Sequence, residues 1–142
     1  MTQIDFHTDV DDKLHYTCRL IRKAWQKQAR LVVYDDDPTS LSELDRALWT
    51  FSETDFLPHV MVQDPLASQT PILLTSDDNA DLPHHDLLIN LSATTPSMFT
   101  QFARVIEVLA DNDEERLAGR ARYQWYKQQA HTLTHTSLKK TP

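Results

Sequence analysis

The sequence predicts a single α/β domain in which helices flank a largely parallel sheet, without a nucleotide site. Strand-like and helix-like segments alternate along the chain, and this order is typical of a parallel sheet covered by helices. A chain of 142 residues has the length of one domain, and its 40% hydrophobic residues suffice for a core. Its only glycine, Gly119, excludes the phosphate-binding loops, because each of them needs several glycines.

The first half of the chain predicts two strands and two helices. Residues 3–8 alternate apolar and polar side chains like a half-buried strand, and an amphipathic helix follows over 14–28. The β-branched run 31–34 predicts a buried strand. A second amphipathic helix is expected over 40–49.

The second half predicts three short strands and two helices. Strands are expected at 59–62, 71–75 and 87–91. The apolar residues between Met98 and Leu109 predict a helix, and a last helix is expected from 113 to about 129. We expect the polar residues 131–142 to form a flexible tail of the single domain 1–142.

Charge is distributed unevenly along the chain. The net charge is −7, yet residues 114–142 hold six Lys and Arg against two Asp and Glu. An acidic body disfavours general binding to nucleic acid, since that binding depends on clustered cations. A basic segment on such a body instead favours an acidic ligand.

Targeting and redox signals are missing from the sequence. No apolar run approaches the roughly 20 residues that span a bilayer, and the acidic N-terminus does not resemble a signal peptide. The single cysteine, Cys18, has no partner for an internal disulfide. We therefore expect a cytoplasmic protein that has no membrane contact.

An acidic turn is the first candidate for chemistry. Asp35, Asp36 and Asp37 follow the predicted strand 31–34, where α/β proteins often hold magnesium. A receiver-like signalling domain that uses Asp35 and Asp36 is therefore an alternative function. Such a domain also needs a Lys at the end of a late strand, whereas this chain has Asn90. We favour a turn that caps the next helix.

A pair of histidines is the second candidate. His84, His85 and Asp86 are residue types that bind metals or act as general bases. Together with the acidic turn they would allow a metal-dependent hydrolase. A turn after Pro83 is the preferred interpretation, and no Gly-x-Ser-x-Gly motif is present. We expect no enzymatic activity, no metal and no cofactor.

The last predicted helix carries cations around an aromatic residue. Side chains at i, i+4, i+7 and i+11 share one face, and they are Arg116, Arg120, Tyr123 and Lys127. The opposite face is apolar and holds Leu117, Ala118, Ala121 and Trp125. A stripe of cations can bind carboxylates, while the aromatic ring receives an apolar side chain. An ordinary solvated face is the alternative interpretation.

Three blocks along the chain carry a resemblance to a known family. They are residues 44–49 (LDRALW) with 56–59 (FLPH) downstream, 86–91 (DLLINL), and 120–127 (RARYQWYK). On these blocks the chain resembles the chi subunit of the bacterial DNA polymerase III clamp-loader assembly over nearly its whole length. The resemblance implies a nucleotide-binding-like fold that carries no nucleotide.

The resemblance also implies two protein partners. The acidic C-terminal tail of single-stranded DNA-binding protein would bind at Arg120 and Tyr123, with Arg116 and Lys127 as neighbours. The psi subunit, which tethers chi to the clamp loader, would bind a surface formed by Trp49, Phe56 and Pro58. A helicase partner at the same surface is left open. The chain departs from the family at Gln124, where a further basic residue is frequent.

Overall fold

The computed structural model describes residues 2–51 and 56–138. Within them the chain forms seven strands, three α-helices and two short 3-10 helices. The elements are β1 (Gln3–Val10), α1 (Lys13–Gln26), β2 (Leu31–Tyr34), α2 (Pro38–Thr50), β3 (His59–Met61), β4 (Ile72–Thr75), β5 (Leu87–Asn90), β6 (Arg104–Ala110), α3 (Asp113–Gln128) and β7 (Thr132–Ser137), with 3-10 turns at Ala67–Gln69 and Phe99–Gln101.

All seven strands join one parallel sheet in the order β3-β4-β2-β5-β6-β1-β7. This confirms the predicted α/β domain. The strands β2, β4 and β5 are buried along their whole length, because parallel strands are covered on both faces. The strand β1 lies between β6 and β7, so the N-terminal strand is not at the edge of the sheet.

Each face of the sheet has its own core. One face packs against α1 and α2 through Cys18, Ile21 and Leu44, which are buried among side chains of β2, β4 and β5. The other face packs against α3 through Tyr126 and against irregular segments that include Phe102. The helix α3 therefore lies on the opposite side of the sheet from α1 and α2.

Each α-helix begins at a capping residue with an acceptor side chain. The carboxylate of Asp12 accepts from the His15 N–H (3.1 Å), and that of Asp37 accepts from the Thr39 N–H (3.0 Å). Asn112 caps α3 in the same way. Asp37 precedes a proline at the first helical position, where the ring is favoured. This confirms the interpretation of the acidic turn as a helix cap.

The prediction of a helix between Met98 and Leu109 is wrong. A single 3-10 turn at Phe99–Gln101 leads into the strand β6, which is buried from Val105 to Leu109. A strand buried on both faces has a nearly continuous apolar sequence, here interrupted only by Glu107, so periodicity cannot separate it from a buried helix.

The C-terminal residues also differ from expectation. Residues Thr132–Ser137 form β7, which pairs in parallel with β1 from Gln3 to Thr8. Most of its side chains are exposed, and its polar, threonine-rich sequence suits an edge strand, because β-branched residues favour extended backbone. Residues 139–142 of the expected tail lie outside the described residues.

Candidate protein-binding surfaces

A buried ion pair holds α3 against the sheet. Arg122 Nη2 lies 3.0 Å from Glu107 Oε1 of β6, and the Tyr126 hydroxyl donates to Glu107 Oε2 at 2.6 Å. Glu107 and Tyr126 are both fully buried. Burial and the neighbouring carboxylate raise the pKa of Tyr126 well above its ordinary value. The hydroxyl therefore stays protonated and remains a donor to the carboxylate.

The same carboxylate connects α3 to the end of β5. Asn90 Nδ2 donates to both oxygens of Glu107, at 2.9 and 3.1 Å. Arg122 Nη1 donates to the Ala93 carbonyl at 2.7 Å. Buried charges are stable only when they are paired and hydrogen-bonded. Here Glu107 accepts from β5 and from α3, and Arg122 also donates to the segment after β5. The network thereby fixes the position of α3.

The face of α3 that packs on the sheet is not the apolar face seen in the sequence. The buried residues of the helix are Gly119, Arg122 and Tyr126, whereas Leu117 is 71% exposed and Trp125 is exposed as well. A Cβ added at Gly119 would lie 2.0 Å from Leu109 Cδ2 of β6. The glycine therefore permits the close approach that the buried ion pair requires.

A groove of about 390 Å³ opens between α3 and the strands β6, β1 and β7. Its lining residues are Phe6, Thr8, Asp9, Leu109, Arg116, Gly119, Arg120, Tyr123, Gln124 and His135. Three of the four residues of the predicted stripe, Arg116, Arg120 and Tyr123, meet in this groove. Lys127 is exposed further along the helix and does not line the groove.

The two arginines of the groove differ in their surroundings. Arg116 pairs with three carboxylates: Asp9 at 3.4 Å, Asp113 at 2.9 Å, and Asp111. Its charge is therefore largely balanced. Arg120 is exposed and forms no ion pair or hydrogen bond with any residue of 2–51 or 56–138. Arg120 is thus the guanidinium that can receive an external carboxylate.

Aromatic and apolar side chains form the wall of the groove. Tyr123 is half-buried, and its ring stands edge-on to Phe6 of β1 with centroids 5.2 Å apart. Leu109 lies beneath Gly119. An apolar side chain could pack here while a carboxylate reaches Arg120, so the groove matches a ligand that has both features.

A second surface lies at the end of α2. Trp49 is 53% exposed and Phe56 is 66% exposed, and their ring centroids are 5.5 Å apart. Pro58 is half-buried beside them. Trp49 and Phe56 are thus exposed and adjacent, as a surface formed by them requires. Exposed aromatic clusters of this kind often mark protein contacts.

A buried histidine supports this patch. The ring of Trp49 lies against that of His59, with centroids 4.5 Å apart. His59 is 2% exposed, and its ring nitrogens lie 2.6 Å from the Leu57 carbonyl and 3.1 Å from the Asp45 carbonyl. Nε2 also lies 3.3 Å from the Asp45 carboxylate, so both ring nitrogens face acceptors of the protein. His59 holds the indole in place and is not available as a ligand or a base.

The family assignment rests on comparison with known proteins. A model of the family described as DNA polymerase III chi subunit, HolC, matches residues 1–134. The chain belongs to this chi family. It is therefore a DNA replication protein of the DNA polymerase III assembly.

Curated relatives agree with the chi family. The DNA polymerase III subunit chi of Pseudomonas aeruginosa is 31% identical over 137 residues, which cover 94% of each chain. The protein of the same name from Haemophilus influenzae is 25% identical and covers 82% of this chain and 81% of its own length. That from Escherichia coli is 23% identical, covering 78% and 75% respectively.

In this chi-family fold, the acidic turn and the histidine pair lie at opposite ends of the sheet. Asp35 follows the carboxyl end of β2, where its side chain accepts from the Asp37 N–H at 3.0 Å. His84 precedes β5, whose first residue, Leu87, pairs with Leu31 at the amino end of β2. The two groups are thus separated by the length of the strands. They do not form the shared site that a metal-dependent hydrolase would need.

The described part of the chi-family chain also lacks a metal cluster. Within 2–51 and 56–138, no three His, Cys, Asp or Glu side chains are placed to hold a metal ion. Burial lowers the pKa of His84, whose Nε2 lies 3.3 Å from the Thr70 carbonyl.

None of the described helices is long and apolar enough to cross a bilayer.

Sequence reasoning missed the groove residues that come from the strands. The groove is lined by Phe6 and Thr8 of β1 and by His135 of β7. More than 120 residues of sequence lie between the β1 residues and His135. Only the alternation of β1 indicated that Phe6 points toward one face with Thr8. The segment of His135 was expected to be a tail, so no signal placed it near α3.

Proposed function

We propose that the chain is a non-catalytic cytoplasmic adaptor of the DNA polymerase III holoenzyme. The groove beside α3 binds the acidic C-terminal tail of single-stranded DNA-binding protein. The patch of Trp49, Phe56 and Pro58 binds the psi subunit, which links the chain to the clamp loader. One observation carries the proposal most directly: the groove presents Arg120, which has no ion pair in the described chain, next to an aromatic wall.

The chemistry of the groove supports an acidic chain terminus as its ligand. A guanidinium forms two parallel hydrogen bonds with one carboxylate, and such charge-assisted bonds are stronger than neutral ones. The walls made by Phe6, Tyr123 and Leu109 suit an apolar side chain near that carboxylate. The body of the protein is acidic, so the attraction is confined to this local surface.

The patch has the chemistry of a contact with a folded or helical subunit. Trp49 and Phe56 together expose a continuous aromatic surface, and aromatic residues contribute a large share of binding energy at protein interfaces. His59 fixes the orientation of Trp49 before any partner binds. A rigid anchor of this kind loses little conformational entropy on binding.

The two surfaces are far enough apart to be occupied together. The groove lies beside β1 and β7 at one edge of the sheet, and the patch lies beside β3 at the other edge. With strands about 4.8 Å apart, the two edges are separated by about 30 Å. The helices α2 and α3 also cover opposite faces. Simultaneous binding of two partners is what an adaptor requires.

Recovery of partners from cell extract tests this proposal with two variants. Immobilised wild-type chain is expected to retain both single-stranded DNA-binding protein and psi. Arg120→Ala is expected to lose the first and keep the second, and Trp49→Ala the reverse. Arg19→Ala and Trp125→Ala are matched controls, because both residues are exposed but lie outside the groove and the patch. Retention of both partners by both variants would contradict the assignment.

A further inference from the structure

The groove has a small surplus of positive charge. Arg116 is balanced by Asp9, Asp111 and Asp113, and Lys127 lies outside the lining. Arg120 is the one lining cation that has no carboxylate partner among the described residues. An acidic peptide carries several negative charges, so a second donor in the groove would increase its affinity.

His135 occupies the position from which such a donor would act. It lies on β7 in register with Phe6 of β1, and Phe6 contacts Tyr123 of α3. The imidazole is exposed, and its Nε2 lies 2.7 Å from Thr8 Oγ1. The ring therefore faces the helix side of the sheet, across the groove from α3.

We propose that His135 is a further ligand of the acidic peptide, and that it acts when the imidazole is protonated. The inference rests on the proposed function of the groove and identifies a residue that strengthens it. In the imidazolium form both ring nitrogens donate. One N–H keeps the bond to Thr8 Oγ1, while the other donates to a carboxylate of the peptide. A neutral ring can also make two bonds, with the Thr8 hydroxyl donating to Nε2 and the other nitrogen donating to the peptide, but that second bond then carries no charge. Protonation therefore adds a positive charge to the bond with the peptide carboxylate.

The charges around His135 set the direction of the effect. Asp9 on β1 faces the groove, but its carboxylate accepts from Arg116 and from the Ser137 hydroxyl at 2.5 Å. Arg116 and Arg120 face the ring from α3. A proton gained by the ring adds a positive charge that faces the peptide, whereas peptide carboxylates remain ionised above about pH 5. Affinity for the peptide therefore rises when the ring is protonated.

Fluorescence anisotropy with a labelled acidic C-terminal peptide of single-stranded DNA-binding protein tests the proposal. Wild type is expected to bind about fivefold more tightly at about pH 6 than at about pH 8, because protonation makes one exposed hydrogen bond charge-assisted. His135→Gln should bind the peptide at about pH 6 and at about pH 8 with the same affinity, which should equal that of wild type at about pH 8. His15→Gln, an exposed histidine on α1, should behave like wild type.

The possible outcomes separate the inference from the proposed function. Binding that does not change with pH, or that changes equally in His135→Gln, overturns the role of His135 and leaves the groove assignment intact. Absence of binding by wild type at every pH overturns both. A proton NMR titration gives a second readout: bound peptide should move the titration midpoint of the His135 ring to higher pH, and an unmoved midpoint would also overturn the proposal.

Discussion

Replacing Tyr126 by Phe removes one hydroxyl from the contact between α3 and the sheet. The hydroxyl donates to Glu107 Oε2 at 2.6 Å, and both side chains are completely buried. No water can replace the lost donor at a site of this kind. A hydrogen bond to a charged group contributes about 1.5–3 kcal/mol. We therefore expect Tyr126→Phe to lower the free energy of unfolding by about 2 kcal/mol.

Tyr16→Phe is a control with the same chemical change. The Tyr16 hydroxyl lies 2.6 Å from His7 Nδ1 in a partly buried contact. Burial lowers the pKa of His7, so its partner is neutral at pH 7. A neutral hydrogen bond contributes about 0.5–1.5 kcal/mol, so the control should lose about half as much stability. Urea unfolding measures both, and the m-value should not change. Equal losses of unfolding free energy in Tyr126→Phe and Tyr16→Phe would show that the charged partner Glu107 does not strengthen the Tyr126 hydrogen bond.

Three further predictions concern the packing of α3, the pH dependence of stability and the absence of ATP binding. Gly119→Ala should lower the free energy of unfolding by about 1 kcal/mol in urea, because the overlap of its Cβ with the buried Leu109 side chain outweighs the gain of about 1 kcal/mol in helix propensity. Burial opposes ionisation of Asp5, but hydrogen bonds from Thr134, Arg104 and other neighbours lower its pKa. Asp5→Asn should therefore cost about 1 kcal/mol at pH 7 and progressively less as the pH falls below about 4. Calorimetry with ATP should give no saturable heat, since the chain has a single glycine and no phosphate-binding loop; micromolar binding would contradict this.

Local pattern was sufficient for the elements that have a clear period or a clear boundary. The helix α1 and the strand β2 were predicted within two residues of their observed limits, because amphipathic spacing and β-branched runs are local properties. The strand β6 was not predicted, since its apolar run has no period that excludes a helix. The buried Glu107 within that run has partners that are distant in sequence.

The groove beside α3 was predicted in part for the same reason. Arg116, Arg120 and Tyr123 share a face of one helix, and helical spacing alone brings them together. The opposite wall comes from β1 and β7, and only the strand order of the sheet places Phe6 and His135 beside α3. The balance of Arg116 by three carboxylates also depends on tertiary structure. Spacing therefore identified the helix face but not which of its cations is available.

Titration of the labelled acidic tail peptide into wild type and the Arg120→Ala/Tyr123→Ala variant tests the central claim most directly. One lost charge-assisted hydrogen bond corresponds to roughly 10- to 100-fold in affinity, and loss of the Tyr123 contact should add to this. Arg19→Ala is the control, because Arg19 is exposed on α1 across the sheet from the groove. We expect saturable, salt-sensitive binding by wild type and Arg19→Ala, with binding by the double variant weakened at least 10-fold. Equal binding by wild type and the double variant would contradict the site, and no binding by wild type would contradict the function.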